Sequence, residues 1–306
     1  MDSVPNQFEN NILFSETRLA SQDFPAPALY VVGLPIGNFA DISLRSLWTL
    51  SLCDKVAAED TRETNKLLQK FSLSKELFSV HQHNEQNGAV KIIGYLEEGL
   101  RIALVTDAGT PAISDPGCKV VDAVKKAGFP VIPIPGPSAV VTALSAAGMA
   151  PEGFIFHGFL ESGSKERLKT IKELVETGRT FVLYEAPHRM EKLAKELAQA
   201  VPAERKIVVA RELTKKFEEI KEFNSESIVE WFAAKKPAGE FVVIVNADIS
   251  KKEQELDGPT MKWLEHLCPV LPTNELSLMA HEITGVPKKQ IYEVLLQLKE
   301  KSKDSI

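Results

Sequence analysis

Residues 101–117 read RIALVTDAGTPAISDPG. The first six are an apolar run without polar alternation, the pattern of a strand covered on both faces. The remainder is glycine, proline, small hydroxyl and carboxylate residues, the composition of a loop that carries function on a rigid scaffold. Helical spacing follows over 116–127 and stops at Gly128. Strand, loop and helix in that order mark one step of a βαβ chain.

The same rhythm extends outward. Strands are expected at 28–32, 55–58, 77–81 and 131–134, with helices at 43–50, 61–71, 88–98 and 138–147. GMAPEG (148–153) reads as a boundary, and a second set follows. It has strands at 154–159, 180–184, 206–210 and 241–245, and helices at 164–176 and 189–200. Residues 218–223 alternate charged and apolar side chains, which predicts an antiparallel strand. The pattern predicts an α/β fold of two α/β domains with mostly parallel sheets. The expected division is an extension over 1–27, domains at 28–149 and 150–248, a charged linker at 249–272 and a helical appendage at 273–303. Thr273 is the expected N-cap of the appendage and Gly285 the stop between its two helices.

Composition narrows the class. The chain has 306 residues, with 36 Lys+Arg against 42 Asp+Glu and a net charge of −6. Hydrophobic residues at 44% and charged residues at 25% exclude a disordered chain, a collagen and a disulfide scaffold. No apolar run is long enough for a transmembrane helix, and no secretory signal is expected from the N-terminal residues. Cys53, Cys118 and Cys268 fall in no metal spacing, so reduced thiols in a cytoplasmic protein are expected. The negative charge argues against nucleic-acid binding by overall field and leaves a local basic patch open.

Ligands of open α/β sheets bind beyond the carboxyl ends of the strands. Those ends carry GLPIGN (33–38), AEDTR (58–62), DAGTPAISDPG (107–117), PGPSA (135–139), YEAPHR (184–189) and ARELTKK (210–216). Neither a P-loop nor GxGxxG is present, which disfavours a polyphosphate or a standard dinucleotide. Asp107 offers an acceptor to an ammonium or ribose group. S-adenosylmethionine is one ligand of that kind, though spacing alone does not choose it. His81 and His83 could share one face of a strand, but no third ligand follows at metal spacing, so no metal is expected. His188 and Arg189 open a helix, an anion-facing position.

The strings LPIGN, AEDTR, HNE, DAGTP-x-ISDPG, PIPGPSA, YEAPHR, ARELTK and GEFVVIV, in this order and spacing, resemble one family. It is the ribosomal RNA small subunit methyltransferase I family, a branch of the tetrapyrrole methylase superfamily that methylates the 2′-hydroxyl of a cytidine in 16S rRNA. The resemblance covers residues 28–247. It implies a homodimer, S-adenosylmethionine as methyl donor in a cleft between two α/β domains, and 16S rRNA of the small ribosomal subunit as partner. The implied donor contacts are Leu34, Pro35, Gly37, Asp107, Ala108, Gly109, Ile113, Ser138 and Ala139. From the second half they are Tyr184, Glu185, Gly239, Glu240 and Phe241. Two departures stand out: Leu34 where the family usually has a hydroxyl residue, and Glu161 where proline is usual. The GxGPGD-like first loop of the corrinoid enzymes is absent. The alternatives are a methyltransferase of the same fold for a small tetrapyrrole-like molecule, or a ribosome-binding protein without activity.

A ribose hydroxyl is a weak nucleophile. Positioning can supply about 7–11 kcal/mol, and a general base about 3–5 kcal/mol. Candidates for the base are Glu59, Asp60 and Glu85, on strand-end loops. Glu59, Asp60 and Arg62 could equally form an ion-pair cluster that orders AEDTR. Arg62, Lys165, Arg167, His188, Arg189, Arg211 and Lys215 are the candidates for RNA phosphates.

Overall fold

The computed structural model describes residues 17–149, 153–234, 237–247, 256 and 258–303, with side chains to 299. It divides into two compact units, 1–247 and 248–306.

The first unit holds two five-stranded sheets. In the first, β1 (Ala28–Val32), β2 (Lys55–Ala58), β3 (Glu76–Ser79), β4 (Arg101–Val105) and β5 (Val131–Ile134) are all parallel, in the order β3-β2-β4-β1-β5. Both faces are covered, which is why the strands read as continuous apolar runs. Alternate residues of β4 serve opposite cores. Ala103 and Val105 pack with α1 (Leu44–Leu52) and α2 (Thr61–Lys70), whereas Ile102 and Leu104 pack with α3 (Glu85–Glu97) and α4 (Cys118–Lys126).

This arrangement creates a switch point. β1 and β4 are neighbours, yet the chain leaves β1 toward α1 on one face and leaves β4 toward α4 on the other. The loops after them diverge, and a crevice opens at their carboxyl ends. Backbone bonds bridge it: Leu34 N–H to Gly109 O at 2.8 Å and Gly109 N–H to Leu34 O at 3.1 Å.

The second sheet departs from the expected parallel arrangement. β6 (Phe154–Phe159) and β7 (Thr180–Glu185) are parallel, but β10 (Phe241–Val245) runs antiparallel between β7 and β8 (Ile207–Arg211). β9 (Glu219–Phe223) is antiparallel on the edge, as its alternation predicts. All five residues of β10 are buried, so its pattern is that of a parallel-sheet strand, and only its partners fix its direction. One face of this sheet packs on α6 (Ser164–Glu176), α7 (Met190–Ala200) and α8 (Ser227–Ala234). The sequence reading missed α8, whose apolar IVEWF run has no clear period. The other face packs on α5 (Ala139–Ala146), whose Val140 and Ala143 meet Val182, Val208, Ala210 and Ile244. Thus α5, which follows the last strand of the first sheet, couples the two halves.

Part of the expected N-terminal extension belongs to the core. Leu19 and Phe24 are buried with Tyr30 and Trp48. Arg101 Nε donates to Phe24 O at 2.9 Å, and the Tyr30 hydroxyl donates to Pro25 O at 2.8 Å.

The second unit is a helical cluster with its own core of Leu264, Cys268, Leu276, Ala280, Val286, Ile291 and Leu295. Its helices are α9 (Gly258–Leu267), α10 (Thr273–Thr284) and α11 (Lys288–Lys303). Part of the expected linker is therefore helix α9. Gly285, at φ 72°, stops α10 as expected. Thr273 does not cap α10: Pro272 holds the N-cap position, and Thr273 Oγ1 accepts from Lys299 Nζ at 2.8 Å.

Candidate active site

A cavity of about 360 Å³ lies among the strand-end loops of the first unit. Its size is in the range of small-molecule sites. One wall comes from the first sheet: Ile36 after β1, Ala108, Gly109, Thr110, Ile113 and Asp115 after β4, and Ser138 and Ala139 at the start of α5. The facing wall comes from the second sheet: Phe159 ending β6, Tyr184 to Pro187 after β7, Leu213 after β8, and Glu240 with the start of β10. Because β10 is antiparallel, its first residue lies at the carboxyl ends of its neighbours; Phe241 pairs with Glu185 and with Arg211.

The lining is mainly apolar and small. It contains three carboxylates and no lysine, arginine or histidine. A polyphosphate finds no counter-charge there, whereas a ligand with an apolar body and positive groups does. Two of the carboxylates are engaged. Glu185 takes the Ala186 N–H at 2.9 Å, Arg189 Nε at 3.1 Å and Arg167 Nη2 at 2.9 Å. Glu240 accepts from Lys215 Nζ at 2.6 Å. The third, Asp115, has no hydrogen-bond or ion-pair partner among the described residues. Burial pushes its carboxyl up to about 7, and the nearby charges of Glu59 and Asp107 add to the shift. Tyr184 stands beside it. Its hydroxyl is pushed up to about 12 by burial, against the lowering effect of a bond from the Val140 backbone.

Known proteins share this framework. The family model for tetrapyrrole (corrin/porphyrin) methylases matches residues 28–229. The chain belongs to the tetrapyrrole methylase family. It is 41% identical to the ribosomal RNA small subunit methyltransferase I of Vibrio cholerae, over 88% of this chain and 94% of that one. It is 40% identical to the protein of that name from Escherichia coli O157:H7, over 90% and 97%. For the Bacillus subtilis protein the identity is 38%, over 87% and 92%. Among solved structures, the uroporphyrin-III-C-methyltransferase of Thermus thermophilus aligns with TM-score 0.53 and 19% identity over 74% of this chain and 97% of that one. A diphthine synthase aligns with TM-score 0.57 and 18% identity, over 72% and 90%. These two likenesses show the methylase fold alone.

On this methylase scaffold, nine of the residues expected at the donor line the cavity: Ala108, Gly109, Ile113, Ser138, Ala139, Tyr184, Glu185, Glu240 and Phe241. Leu34, Pro35, Gly37, Asp107 and Gly239 are not on its wall. Leu34 is 1% exposed and part of the hydrophobic core, so a missing hydroxyl there removes no cavity contact. A Cβ on Gly37 would meet Lys215 and Thr214 within 2.9 Å; this glycine lets the loop after β8 approach the loop after β1. Gly239, at φ 94°, stands over Glu212 in the same way. Sequence reasoning passed over Asp115 and Thr110, although both stand in the DAGTPAISDPG loop. It also passed over Ile36, Phe159, Leu213 and Val242, apolar residues that give no local signal.

The candidates for the base are placed differently from expectation. Asp60 caps α2: its Oδ1 accepts the Arg62 N–H at 2.8 Å, and its Oδ2 pairs with Arg62 Nη2 at 2.7 Å. These bonds hold its carboxyl well below the usual carboxylate range. Glu85 is buried and accepts the Gly117 N–H at 2.6 Å, which orders the end of the 107–117 loop. Glu59 Oε2 accepts the Asp107 N–H at 3.4 Å, and Asp107 Oδ1 accepts the Asp60 N–H at 3.0 Å. The AEDTR loop is thus the ion-paired, hydrogen-bonded cluster of the second sequence reading. Burial raises both Glu59 and Asp107.

Of the phosphate candidates, Arg167 is corrected outright. It is fully buried, with Nη2 at 2.9 Å from Glu185 and 2.8 Å from Glu196, and Nε at 2.9 Å from Glu196 Oε2. RNA cannot reach it. Arg189 Nη2 donates to the Leu160 and Glu161 carbonyls, each at 2.7 Å. Arg211 Nε donates to Ala238 O at 2.7 Å, and Lys215 pairs with Glu212 and Glu240. Lys165 and His188 are exposed. Arg62 is also exposed, although it pairs with Asp60. His83 N–H donates to His81 Nδ1 at 3.3 Å, and no group of three or more metal-ligating side chains occurs among the described residues.

Proposed function

We propose that this protein transfers a methyl group from S-adenosylmethionine to the 2′-hydroxyl of a cytidine ribose in 16S rRNA of the small ribosomal subunit. It does so in the cytoplasm as a homodimer. One observation carries this reading: a cavity with an apolar wall, carboxylates and no cation, in a chain about 40% identical over nine-tenths of its length to proteins named for rRNA methylation. The sulfonium and ammonium of the donor suit that lining. The donor supplies an activated methyl group.

The residues of this chain would act mainly by positioning. Ala108, Gly109, Ser138 and Ala139 are small enough for close approach to the donor, and Tyr184 with Phe241 closes the opposite side. Holding the hydroxyl in line with the methyl group is worth about 7–11 kcal/mol, the larger part of what such a site supplies. Lys165, His188 and Arg62 are exposed charged or polar groups available to phosphates. RNA affinity carried by such contacts falls as salt rises. Among the described residues no helix is long and apolar enough to cross a membrane.

Titration calorimetry with S-adenosylmethionine should show one site per chain. Radiolabelled donor should place label in the 16S rRNA ribose of small subunits that lack the modification. Binding without label keeps a methyltransferase and rejects this substrate; absence of binding rejects both. Ala139→Trp, on the cavity wall, should weaken donor binding roughly 10- to 100-fold, the equivalent of about 1–3 kcal/mol of overpacking. Wild-type donor affinity in this variant would place the donor elsewhere.

A further inference from the structure

We infer that the Asp115 carboxylate accepts the proton of the substrate hydroxyl as the methyl group is transferred, an inference that rests on the methyl-transfer reading above. The argument is one of elimination by geometry. A general base must reach the reacting atoms and have a lone pair to spare. Of the seven carboxylates at or near the cavity, six already hold donors or cations. Glu185 is held by Arg167 and Arg189, and Glu240 by Lys215. Asp60 is held by Arg62, Glu85 by the Gly117 N–H, Glu59 by the Asp107 N–H, and Asp107 by the Asp60 N–H. Asp115 alone both lines the cavity and has no partner among the described residues.

The chain spends conformational energy to put it there. Ala112 (φ 69°) and Ser114 (φ 61°) both occupy the left-handed region, unusual for residues with a side chain. The Ala112 N–H donates to Pro116 O at 3.1 Å and closes the turn around Asp115. Pro116 itself restricts the backbone of the residue before it. On the facing sheet, β6 has an irregularity between Phe156 and Gly158, and Gly158 leaves the room that Ser114 fills. Tyr184, Phe156 and Phe159 form an aromatic cluster, with ring centroids 5.0 and 5.5 Å from Tyr184. Tyr184 and Phe159 line the cavity with Asp115 and shield that end from water. The titratable groups that face Asp115 are Glu59 and Asp107 on its own sheet and Tyr184 opposite. Both carboxylates oppose its ionisation, so it accepts protons near neutral pH, where a base is most effective.

The step balances. The 2′-oxygen forms its bond to the methyl carbon as the carbon–sulfur bond breaks. That electron pair stays on sulfur, which becomes a neutral thioether, and the hydroxyl proton passes to the Asp115 carboxylate and then to solvent.

The test compares wild type, Asp115→Asn and Asp115→Glu in single-turnover methylation of unmodified small subunits, from about pH 5 to about pH 9. Donor affinity is measured by calorimetry, and thermal stability without donor over the same range. The wild-type rate should rise through a limb near pH 7. Asp115→Asn should lose about 10²–10⁴-fold in rate with donor affinity unchanged, and the limb should vanish. Its stability should match wild type at acid pH and exceed it above neutrality. The reason is that a carboxyl raised in the folded state makes stability fall as pH climbs from its ordinary 3.8 to about 7. If Asp115→Asn does not fold, Asp115→Glu should keep a limb with a displaced midpoint; an unmoved midpoint overturns the inference. Wild-type rates in Asp115→Asn also overturn it, as does a rate loss matched by lost donor affinity, which would make Asp115 a donor ligand. If wild type itself labels no rRNA, the proposed function fails instead.

Discussion

Arg167→Met is expected to destabilise the protein by about 3–5 kcal/mol, read as a lower urea midpoint. Arg167 is fully buried, and its guanidinium contacts both Glu185 and Glu196 within 3 Å. Removing it leaves two carboxylates at the base of the cavity wall with less charge than they need: Arg189 still reaches Glu185, and Lys192 reaches Glu196 only at 3.9 Å. The loss should therefore come mostly from uncompensated charge rather than lost packing, since methionine fills much of the same volume. A cycle with Glu196→Leu separates the two. If charge dominates, the double variant recovers part of the loss of the single one. Strictly additive losses would show that packing dominates. Lysine should not rescue, because it cannot form the forked contacts to two carboxylates.

Gly136→Ala is expected to be the second large effect, with about 1–3 kcal/mol lost to overpacking and weaker donor binding. Gly136 follows β5 and Gly33 follows the adjacent β1, and their backbones touch: a Cβ on Gly136 would lie 2.7 Å from Gly33 Cα and 2.8 Å from its carbonyl. Backbone cannot turn aside as a flexible side chain can. The two loops must separate, and these loops carry Ile36, Ser138 and Ala139 into the cavity. Donor affinity should fall together with stability. Lower stability with wild-type donor affinity would show that the strain is absorbed away from the cavity. The sequence suggests that such loop glycines admit a ligand; at Gly33, Gly136 and Gly37 they admit another loop.

The legibility of this protein divides along the range of the forces involved. β1, β5, β6 and β10 lie where short apolar runs predict them, because burial on both faces leaves a local mark. The antiparallel direction of β10 leaves none, since a strand buried on every side looks the same either way. Arg167 sits in a GSKER string that reads as a basic, solvent-facing loop. Its partners are distant in the chain, Glu196 by 29 positions, and nothing near Arg167 announces them. The nine correctly expected cavity residues stand in motifs that a family resemblance can carry. The apolar wall of Ile36, Phe159, Leu213 and Val242 has no motif and becomes visible only when the two sheets face each other.

By itself, then, the sequence determined the α/β class, the alternation of strands and helices, the family and the loops that bear the site. Those are local patterns of burial and turn chemistry, or strings that survive as strings. Only the tertiary structure decided which carboxylate is free. Glu59, Asp60, Glu85 and Asp115 are equivalent on paper. Their roles separate because a backbone N–H or a guanidinium meets three of them and nothing meets the fourth. The charge state of a carboxyl is set by what surrounds it within a few ångströms, and that is a property of the folded chain.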